Sequence, residues 1–442
     1  MSREIPSAPV AQGVHPAEQG GGARLRRDLG LMDAVGVGFG AIVGAGIFVV
    51  SGVAAGVAGP AFLIGLIIAA AAAGCNALSS AQLAAEYPNA GGAYEYGYRT
   101  LNPWAGFAAG WMFLTSKIAA AGTVALGLAG YVDALFPRFP PRVIAVLAIL
   151  LFTFLNYRGI RRSARANLLI VVFSVGALLL FAGFGVPSFR MENLRPFAPG
   201  GFRGVLEGAA LLFFAFTGYA RIATLAEEVT EPERIIPRAI GITIVGVIVL
   251  YLVVSLVAVG AIGAGGSSGM ASSSAPLYLA AEAAGGRRLA ALVAAGGIAA
   301  MLGVILSQLL GLSRVVFAMA RREDLPAFLS HIHPLTRVPD RAILLVGGLA
   351  AVTTAIGTPL GITSTAAFAI LLYYTIANLA ALRMPRAAKR YPDVVPAAGL
   401  VGCVVLAFSL SAATILAGIT MLAVGILYRV GRVILTKRMS PQ

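Results

Sequence analysis

The sequence predicts an all-α integral membrane protein, and three observations lead to that fold class. The 442 residues are 59% hydrophobic and only 12% charged, whereas soluble domains carry about 25% charged residues. Long runs rich in Ala, Leu, Ile, Val and Gly lack the apolar–polar alternation of a membrane β-barrel. Between Asp33 and Glu86 no residue is charged at neutral pH, which leaves room for two spans of about 20 residues each.

We predict twelve membrane-spanning helices, with turn residues or charges at several of their ends. Gly59-Pro60 separates the first two, and Gly357-Thr358-Pro359 separates the ninth and tenth, because Gly favours a helix end and Pro cannot continue a helix. Arg142 and Arg158 bound the short fourth span, where their long side chains can reach the membrane surface. The predicted spans are 31–57, 61–85, 104–131, 141–157, 165–185, 204–226, 238–260, 289–319, 341–356, 363–383 and two within 395–430.

The chain divides into three parts around these spans. Residues 1–27 are polar and lack an apolar core, so we expect a disordered cytosolic tail rather than a signal peptide. Residues 28–383 form the predicted core of ten helices, and 384–442 carry two peripheral helices and a short C-terminus. Most of the 33 Lys and Arg residues fall on the side of the N-terminus, which predicts that both termini are cytoplasmic in a cell-membrane protein.

Glycine is unusually dense in the first predicted span, at 36–59. A helix-interior Gly costs about 1 kcal/mol relative to Ala, and a purely lipid-facing helix gains nothing from that cost. We interpret Gly44-Ala45-Gly46 as an interruption of the helix, with the other glycines serving close packing. A second interruption falls around Thr217-Gly218-Tyr219 in the sixth span. Half-helix ends expose N–H groups suited to a carboxylate and carbonyls suited to an ammonium, so paired interruptions indicate an inverted-repeat transporter.

Four segments, in the same order along the chain, resemble the amino acid–polyamine–organocation (APC) permeases. They are GAIVGAGIF, AEYPNAGGAYEY, FFAFTGYARIATLAEEVTEPERIIPRAI and LSRVVFAMARREDLPAFLSHIHP. The resemblance extends over about 24–430 and implies a secondary transporter with the LeuT-type fold. That fold has ten core helices in two inverted five-helix repeats, with helices 1 and 6 discontinuous, and here two peripheral helices follow.

The resemblance also implies where a substrate binds. Its carboxylate and amine are expected to meet the backbone of the two interruptions, and Phe216 and Tyr219 are expected to wall or cover the pocket for its side chain. The expected substrate-binding residues are Val43, Gly44, Ala45, Gly46, Ile47, Ala215, Phe216, Thr217, Gly218 and Tyr219.

Charged residues inside or near the predicted spans are a second group of candidates, because an intramembrane charge costs at least about 2.5–3.5 kcal/mol. Lys117 lies deep in the third span, where it could hold the substrate carboxylate, carry the coupled proton or lock helices together. Arg221 follows the second interruption and could pair with Asp33 or Glu228 as an inner gate, or bind an acidic substrate side chain. Glu207 is a candidate outer-gate partner or a solvated rim residue.

Ser174 is a departure from the family pattern. Many proton-coupled APC members carry a lysine at the position that the SAR-x-N segment aligns with Ser174. Three alternatives follow: Lys117 substitutes for that lysine, Ser174 and Ser307 help coordinate sodium, or transport is uncoupled or an exchange. In the tenth span, Tyr373, Tyr374 and Asn378 are candidates for a gate or cavity lining, and ordinary packing is the competing interpretation.

We therefore expect an α-amino acid carrier that works by alternating access, with proton symport as the leading mechanism. Antiport, facilitation and sodium coupling stay open. A polyamine carrier is disfavoured because it needs acidic residues in the cavity to meet ammonium groups, and this sequence offers Lys and Arg instead. A channel, a receptor and an enzyme are disfavoured because a polar pore, a sensor domain and a nucleophile–base pair are missing from the sequence. We expect no cofactor, no metal and no nucleic-acid partner; the partners are the lipid bilayer, the amino acid and the proton or sodium. A monomer is the expectation, with an oligomer left open.

Overall fold

The computed structural model describes residues 30–87, 91–159, 164–219, 222 and 229–439, and its regular structure there is helical. The predicted tail at 1–27 and the candidate gate residues Arg221 and Glu228 lie outside these described residues. The α-helices are α1 Leu31–Ile42, α2 Ser51–Ala58, α3 Phe62–Glu86, α4 Ala93–Thr100, α5 Pro103–Leu135, α6 Pro141–Tyr157, α7 Ala164–Gly185, α8 Gly201–Phe213, α9 Pro232–Ile262, α10 Pro276–Arg321, α11 Asp340–Ile356, α12 Pro359–Leu382, α13 Val394–Ser409 and α14 Ala412–Met439.

Several helical segments could cross a membrane, judged by their length and composition alone. Within the described ranges, seven helical runs are long and apolar enough to cross a bilayer, and α6 and α13 are shorter apolar helices. The seven are Leu31–Glu86, Pro103–Leu135, Ala166–Ser188, Glu233–Ile262, Pro276–Arg321, Pro359–Leu382 and Ala412–Ile434. The prediction of an all-α, polytopic membrane protein is confirmed at this level, and the count of twelve spans stays a prediction.

Local sequence accounts for where several helices begin. Both α5 and α12 start with Pro, whose fixed φ suits the first helical position and whose missing N–H is not needed there. The residue before each Pro caps the helix: the Asn102 side chain accepts from the Ala105 N–H at 2.9 Å, and the Thr358 hydroxyl accepts from the Gly361 N–H at 3.1 Å. α10 contains one kink, at Gly286, where φ is 74°.

The helices form a buried centre and a lipid-exposed periphery. α5 packs against α12, α10 and α6, while α3 packs against α8 and α1 against α9. Of the apolar window of α5, 67% is buried, and the same fraction holds for α12, against 17% for α14. α5 and α12 are therefore central helices, and α14 lies at the edge of the bundle.

Candidate functional site

The first helix is interrupted where the glycine cluster predicts an interruption. α1 ends at Ile42, Val43 has an extended ψ of 107°, and a π-helical turn at Gly46–Val50 leads into α2. The hydroxyl of Tyr251 donates to the Ile42 carbonyl oxygen at 2.9 Å, so α9 satisfies an acceptor at the end of α1. A free helix end within apolar surroundings needs such partners.

The sixth predicted span also loses its α-helical form. α8 ends at Phe213, a 3₁₀ turn covers Phe214–Phe216, and Thr217 leaves helical geometry with ψ at 7°. The Thr217 hydroxyl donates to the Phe214 carbonyl oxygen at 3.0 Å, which stabilises this turn by satisfying an acceptor that a continuous helix would pair.

The two interruptions touch each other through glycine. A Cβ atom added to Gly46 would lie 2.6 Å from the Cβ and 2.7 Å from the Cα of Ala215, and one added to Gly218 would meet the Ala41 carbonyl group even more closely. Because residue 46 faces 215 and residue 41 faces 218, the two segments run antiparallel. Larger residues at either glycine would push the two backbones apart.

A cavity of about 380 Å³ opens beside this contact. Its volume lies within the range of about 300–1,000 Å³ that is typical of small-molecule sites. Residues of α5, α10 and α12 complete its wall. The predicted site residues that line it are Gly44, Ala45, Gly46, Ala215, Thr217, Gly218, Lys117, Ser307 and Tyr373.

Lys117 reaches the second interruption from α5. Its Nζ atom donates to the Thr217 hydroxyl at 3.3 Å and lies 5.8 Å from the centre of the Phe113 ring. Its backbone carbonyl accepts from the Gln308 side-chain amide of α10 at 2.7 Å. The cationic side chain is therefore part of the cavity, and its backbone ties α5 to α10.

Several predicted site residues lie behind the cavity wall in this conformation. Val43 and Ile47 are buried, and so are Phe216 and Tyr219, whose rings point into the core. The aromatic residues that line the cavity are Phe113 of α5, Phe214 and Tyr373 of α12. The expected contacts of the four buried residues with a substrate stay predictions.

The three candidates in α12 take different positions. The Tyr373 hydroxyl lines the cavity and accepts from the Ala93 N–H at 3.0 Å, which connects α12 to α4. Tyr374 is buried one residue further on. Asn378 is buried too and donates to the side-chain oxygen of Asn76 in α3. Among the three, Tyr373 is the residue that the structure brings to the cavity.

Ser174 and Ser307, the candidate cation site, lie far apart. The Ser174 hydroxyl donates to the Gly296 carbonyl oxygen at 2.9 Å. Gly296 and Ser307 belong to the same helix, eleven residues apart, which corresponds to about 16 Å along its axis. The Ser307 hydroxyl bonds within its own helix, to the Gly303 carbonyl oxygen at 2.8 Å, and lines the cavity.

Two of the acidic gate candidates, Asp33 and Glu207, are not among the described residues that line the cavity. Asp33 is exposed in the first turn of α1, where its carboxylate accepts from the Gly30 N–H at 3.0 Å. Glu207 is half-buried on α8. Because Arg221 and Glu228 lie outside the described residues, the predicted pairing of Asp33 or Glu228 with Arg221 stays a prediction.

A buried aromatic layer packs against the segment that follows the first interruption. The Tyr131 hydroxyl donates to the Phe48 carbonyl oxygen at 2.8 Å, and the two rings meet edge to face with centres 5.8 Å apart. The Leu277 N–H donates to the same hydroxyl at 3.3 Å. A Cβ on Gly297 would lie 2.8 Å from the Phe48 ring, so α10 approaches this layer closely.

Comparison with known proteins identifies the family. A family model described as amino acid permease matches residues 29–431. The chain belongs to the amino acid permease family. It is similar to an uncharacterized transporter of Mycobacterium tuberculosis, with 41% identity over 94% of this chain and 93% of that protein. It is 33% identical to the branched-chain amino acid permease BcaP of Bacillus subtilis over 76% of each chain. It is 31% identical to the chloroplastic cationic amino acid transporter 9 of Arabidopsis thaliana over 71% of this chain and 58% of the relative.

Family membership identifies the protein as a transporter and not an enzyme, as the sequence predicts. It also confirms the resemblance on which the expected site residues rest. The permease has further cavity residues that the sequence reasoning missed, among them Gln308 and Arg314 of α10. Gln308 could have been found as a polar residue next to Ser307 in an apolar run. Gly91 and Gly92 also line the cavity and lie in the quoted AEYPNAGGAYEY segment.

The permease also carries an ion-pair network at one end of the bundle, which we call the α4 cluster: Tyr94, Glu95, Tyr98, Arg322, Asp324 and Arg429. Glu95 pairs with Arg322 at 2.7 Å, and Asp324 pairs with Arg429 at 3.1 Å. Burial and the hydrogen bond to Asp324 raise the pKa of Tyr98 to about 12, so this hydroxyl keeps its proton and donates. The cluster joins α4 and the end of α10 to α14.

Proposed function

We propose that the permease moves an α-amino acid across the cell membrane by alternating access, with the substrate held between the two interrupted helices. The juxtaposition of the interruptions beside a cavity of about 380 Å³ carries this proposal. Exposed N–H groups at one half-helix end suit the carboxylate, and exposed carbonyls at the other suit the amine. The names of the relatives, which include a branched-chain amino acid permease, support an amino acid as the substrate.

The overall architecture that we propose is the LeuT-type fold with twelve spans. The antiparallel contact of the two interruptions, 46 with 215 and 41 with 218, is the arrangement that an inverted repeat produces. The low burial of α14 supports a peripheral position for the last span. The excess of Lys and Arg on one side supports cytoplasmic N- and C-termini.

We further propose that the conformation is one of the states of the transport cycle, with the cavity reaching toward the cytoplasmic side. Its lining extends from the interruptions to Gly91 and to Arg314, near the α4 cluster. The layer formed by Phe48 and Tyr131 closes the opposite side. A carrier needs one closed side at a time, and both features are consistent with that requirement.

Proton symport is the coupling mechanism that we favour. Ser174 and Ser307 are about 16 Å apart along α10, which argues against a shared sodium site in this state. Lys117 is an ionisable side chain that lies at the interruption itself. Antiport and facilitated transport use the same site and differ in the gradient that they require.

Uptake by proteoliposomes tests the proposed function. We expect saturable uptake of at least one labelled α-amino acid from a panel of all twenty. Thermal stabilisation of the purified permease by the same amino acid would connect transport to binding. A panel that yields neither uptake nor stabilisation would contradict the proposed function.

A further inference from the structure

A second cavity lies on the outer surface of the bundle and is lined by apolar side chains. It has a volume of about 630 Å³, and its described lining consists of Leu, Ile, Val, Ala and Phe residues of α5, α6 and α10. On α6 the lining begins at Ile144 and ends at Phe154, ten residues later, which corresponds to about 15 Å along the helix axis. Leu147 is 58% exposed and Leu151 is 54% exposed, so the cavity is a groove that opens to the surroundings of the bundle.

The other faces of α6 are held by its neighbours. A Cβ added to Gly347 of α11 would overlap the buried Thr153 side chain of α6, so these two helices are in close contact. The Asn156 side-chain amide donates to the Leu306 carbonyl oxygen of α10 at 3.3 Å. Because α6 is fixed against α11 and α10 in this way, the groove is a built feature of the helix packing.

One end of the groove carries a cation. Arg158 follows Phe154 by four residues, so the two side chains share one face of the helix. The exposed Arg158 guanidinium lies 5.0 Å from the centre of the Phe154 ring, which lines the groove. The sequence adds Arg161 and Arg162 within the next four positions. Since a cation avoids hydrocarbon, this end of the groove belongs at the membrane surface.

A further arginine comes to the same end of α6 from a distant part of the chain. A Cβ added to Gly159 would contact the residues on both sides of Arg337, at 3.5–3.8 Å, and Arg337 is exposed. The nearest acidic residue along that segment, Asp340, is buried and pairs with the His331 ring at 2.8 Å. The exposed charge that this segment adds beside Arg158 is therefore positive.

The shape and charge of the groove suit one component of a bilayer. Its length of about 15 Å is half of the hydrocarbon thickness of about 30 Å, which is the depth that the acyl chain of one leaflet fills. Arginines at the membrane surface attract anionic headgroups, and basic pockets beside membrane helices bind such lipids. A phospholipid with a negative headgroup combines both properties in one molecule.

We propose that the groove between α5, α6 and α10 binds an anionic phospholipid, with one acyl chain along 144–154 of α6 and the phosphate at Arg158. The chain fills the apolar surface, and the basic end selects the charge of the headgroup. The site is separate from the amino acid cavity and does not depend on which substrate is carried. It is close to that cavity through α10, because Leu306, which accepts from Asn156, adjoins the cavity residue Ser307.

The test measures thermal unfolding of the delipidated full-length permease in detergent while lipid is added. The probes are phosphatidylglycerol and phosphatidylcholine with identical acyl chains, and glycerol phosphate as a headgroup without a chain. We expect phosphatidylglycerol to raise the Tm with an apparent affinity about fivefold higher than that of phosphatidylcholine, because of its negative headgroup. Glycerol phosphate should leave the Tm unchanged. Equal affinities for the two lipids, or equal stabilisation by glycerol phosphate, would overturn the proposal.

A pair of arginine variants locates the headgroup. Arg158→Gln should weaken the apparent affinity for phosphatidylglycerol by about fivefold and leave that for phosphatidylcholine unchanged. Arg142→Gln is the matched control, because it makes the same change at an exposed position at the other end of α6 and should leave both affinities unchanged. Equal affinities in the two variants would overturn the placement of the phosphate at Arg158. Both positions are exposed, so this comparison does not require a change in the packed core.

A second pair of variants locates the acyl chain. Ala148→Trp places a large ring in the groove and should abolish stabilisation by both lipids. Ala417→Trp makes the same change at an exposed position of α14 and should respond as the wild type does. Unchanged lipid stabilisation in a folded Ala148→Trp protein would overturn the proposal. A permease that is dimeric in detergent, and that Ala148→Trp but not Ala417→Trp makes monomeric, would assign the groove to a second copy of the chain and overturn it as well.

Discussion

Gly46 and Gly218 are the residues at which the two interrupted helices meet. The backbone of Ala215 fills the space where a side chain at position 46 would lie, and the Ala41 carbonyl fills that space at position 218. The glycine-rich composition predicts the interruption, whereas the identity of the residue opposite each glycine depends on tertiary packing. Phe216 and Tyr219 illustrate this limit, because a small rotation of the backbone within the interruption decides whether a ring faces the cavity or the core.

Gly46→Ala should reduce amino acid uptake by at least about tenfold, because even displacements of about 1 Å at a binding site are costly. The added Cβ cannot fit without moving the backbone of Ala215. Gly74→Ala in α3 is the matched control, since no atom lies within 4 Å of the new Cβ. The control should keep wild-type uptake and an equal or higher Tm, because Ala favours a helix over Gly by about 1 kcal/mol. Equal uptake by the two variants would contradict the functional importance of the close contact between Gly46 and Ala215.

Lys117 is the candidate residue for carrying the coupled proton. If it is the proton carrier, Lys117→Ala should abolish the acceleration of uptake by an inward proton gradient while an outward substrate gradient still drives exchange. Uptake at several imposed pH differences measures this directly. Ser307→Ala is the comparison variant, because its hydroxyl lines the same cavity and bonds within its own helix. Proton-driven uptake that persists in Lys117→Ala would remove Lys117 from the carrier role.

At the scale of elements, hydropathy and turn residues predict the helices well. The fourth predicted span matches α6, and the ninth predicted span differs from α11 by one residue at its start. Hydropathy does not predict α4, because this helix is short and polar, and a short amphipathic helix forms only where neighbours cover its apolar face. Its neighbours are α5, which follows it directly, and α12 and the end of α10, which are distant in sequence.

Arg429 fastens the peripheral helix α14 to the rest of the permease. Its guanidinium donates to the Tyr98 hydroxyl at 2.8 Å, pairs with Asp324 and lies 4.8–5.6 Å from the ring centres of Tyr98, Trp104 and Phe107. Its side chain is 11% exposed and that of Asp324 is 9% exposed, so the pair is nearly withdrawn from water. Burial of this degree makes the loss of one partner costly.

Arg429→Met should lower the free energy of unfolding by about 3–5 kcal/mol, because it leaves the Asp324 carboxylate without this cation. Tyr98→Phe keeps the ring and should cost less, about 1–3 kcal/mol, since it removes only the shared hydroxyl. Thermal unfolding in detergent ranks the stabilities of the wild type, Tyr98→Phe and Arg429→Met. Arg386→Met, at an exposed position, is the control and should retain the wild-type Tm. A Tm for Arg429→Met equal to that of the control would contradict the fastening role.

At the scale of the whole molecule, the described residues combine a packed layer at Phe48 and Tyr131 with a cavity beside the two interruptions. The Phe48 and Tyr131 layer has no charged residue, whereas the α4 cluster combines ion pairs with aromatic rings. The sequence alone predicts the approximate place of both interruptions, whereas its count of twelve spans stays a prediction. It does not predict which side is closed, because that choice depends on a small difference in free energy between conformations of the same chain.

The most direct test of the central claim is substrate protection of a thiol placed in the cavity. Thr217→Cys introduces that thiol at a residue of the second interruption that lines the cavity, in a background where Cys75 and Cys403 are replaced by Ala. The measurement is the rate of alkylation by a small thiol reagent in proteoliposomes that retain uptake, with and without the transported amino acid. We predict that saturating substrate slows alkylation by about tenfold or more, because bound substrate occupies the space beside residue 217. An alkylation rate that substrate leaves unchanged, while uptake persists, would contradict binding between the two interrupted helices.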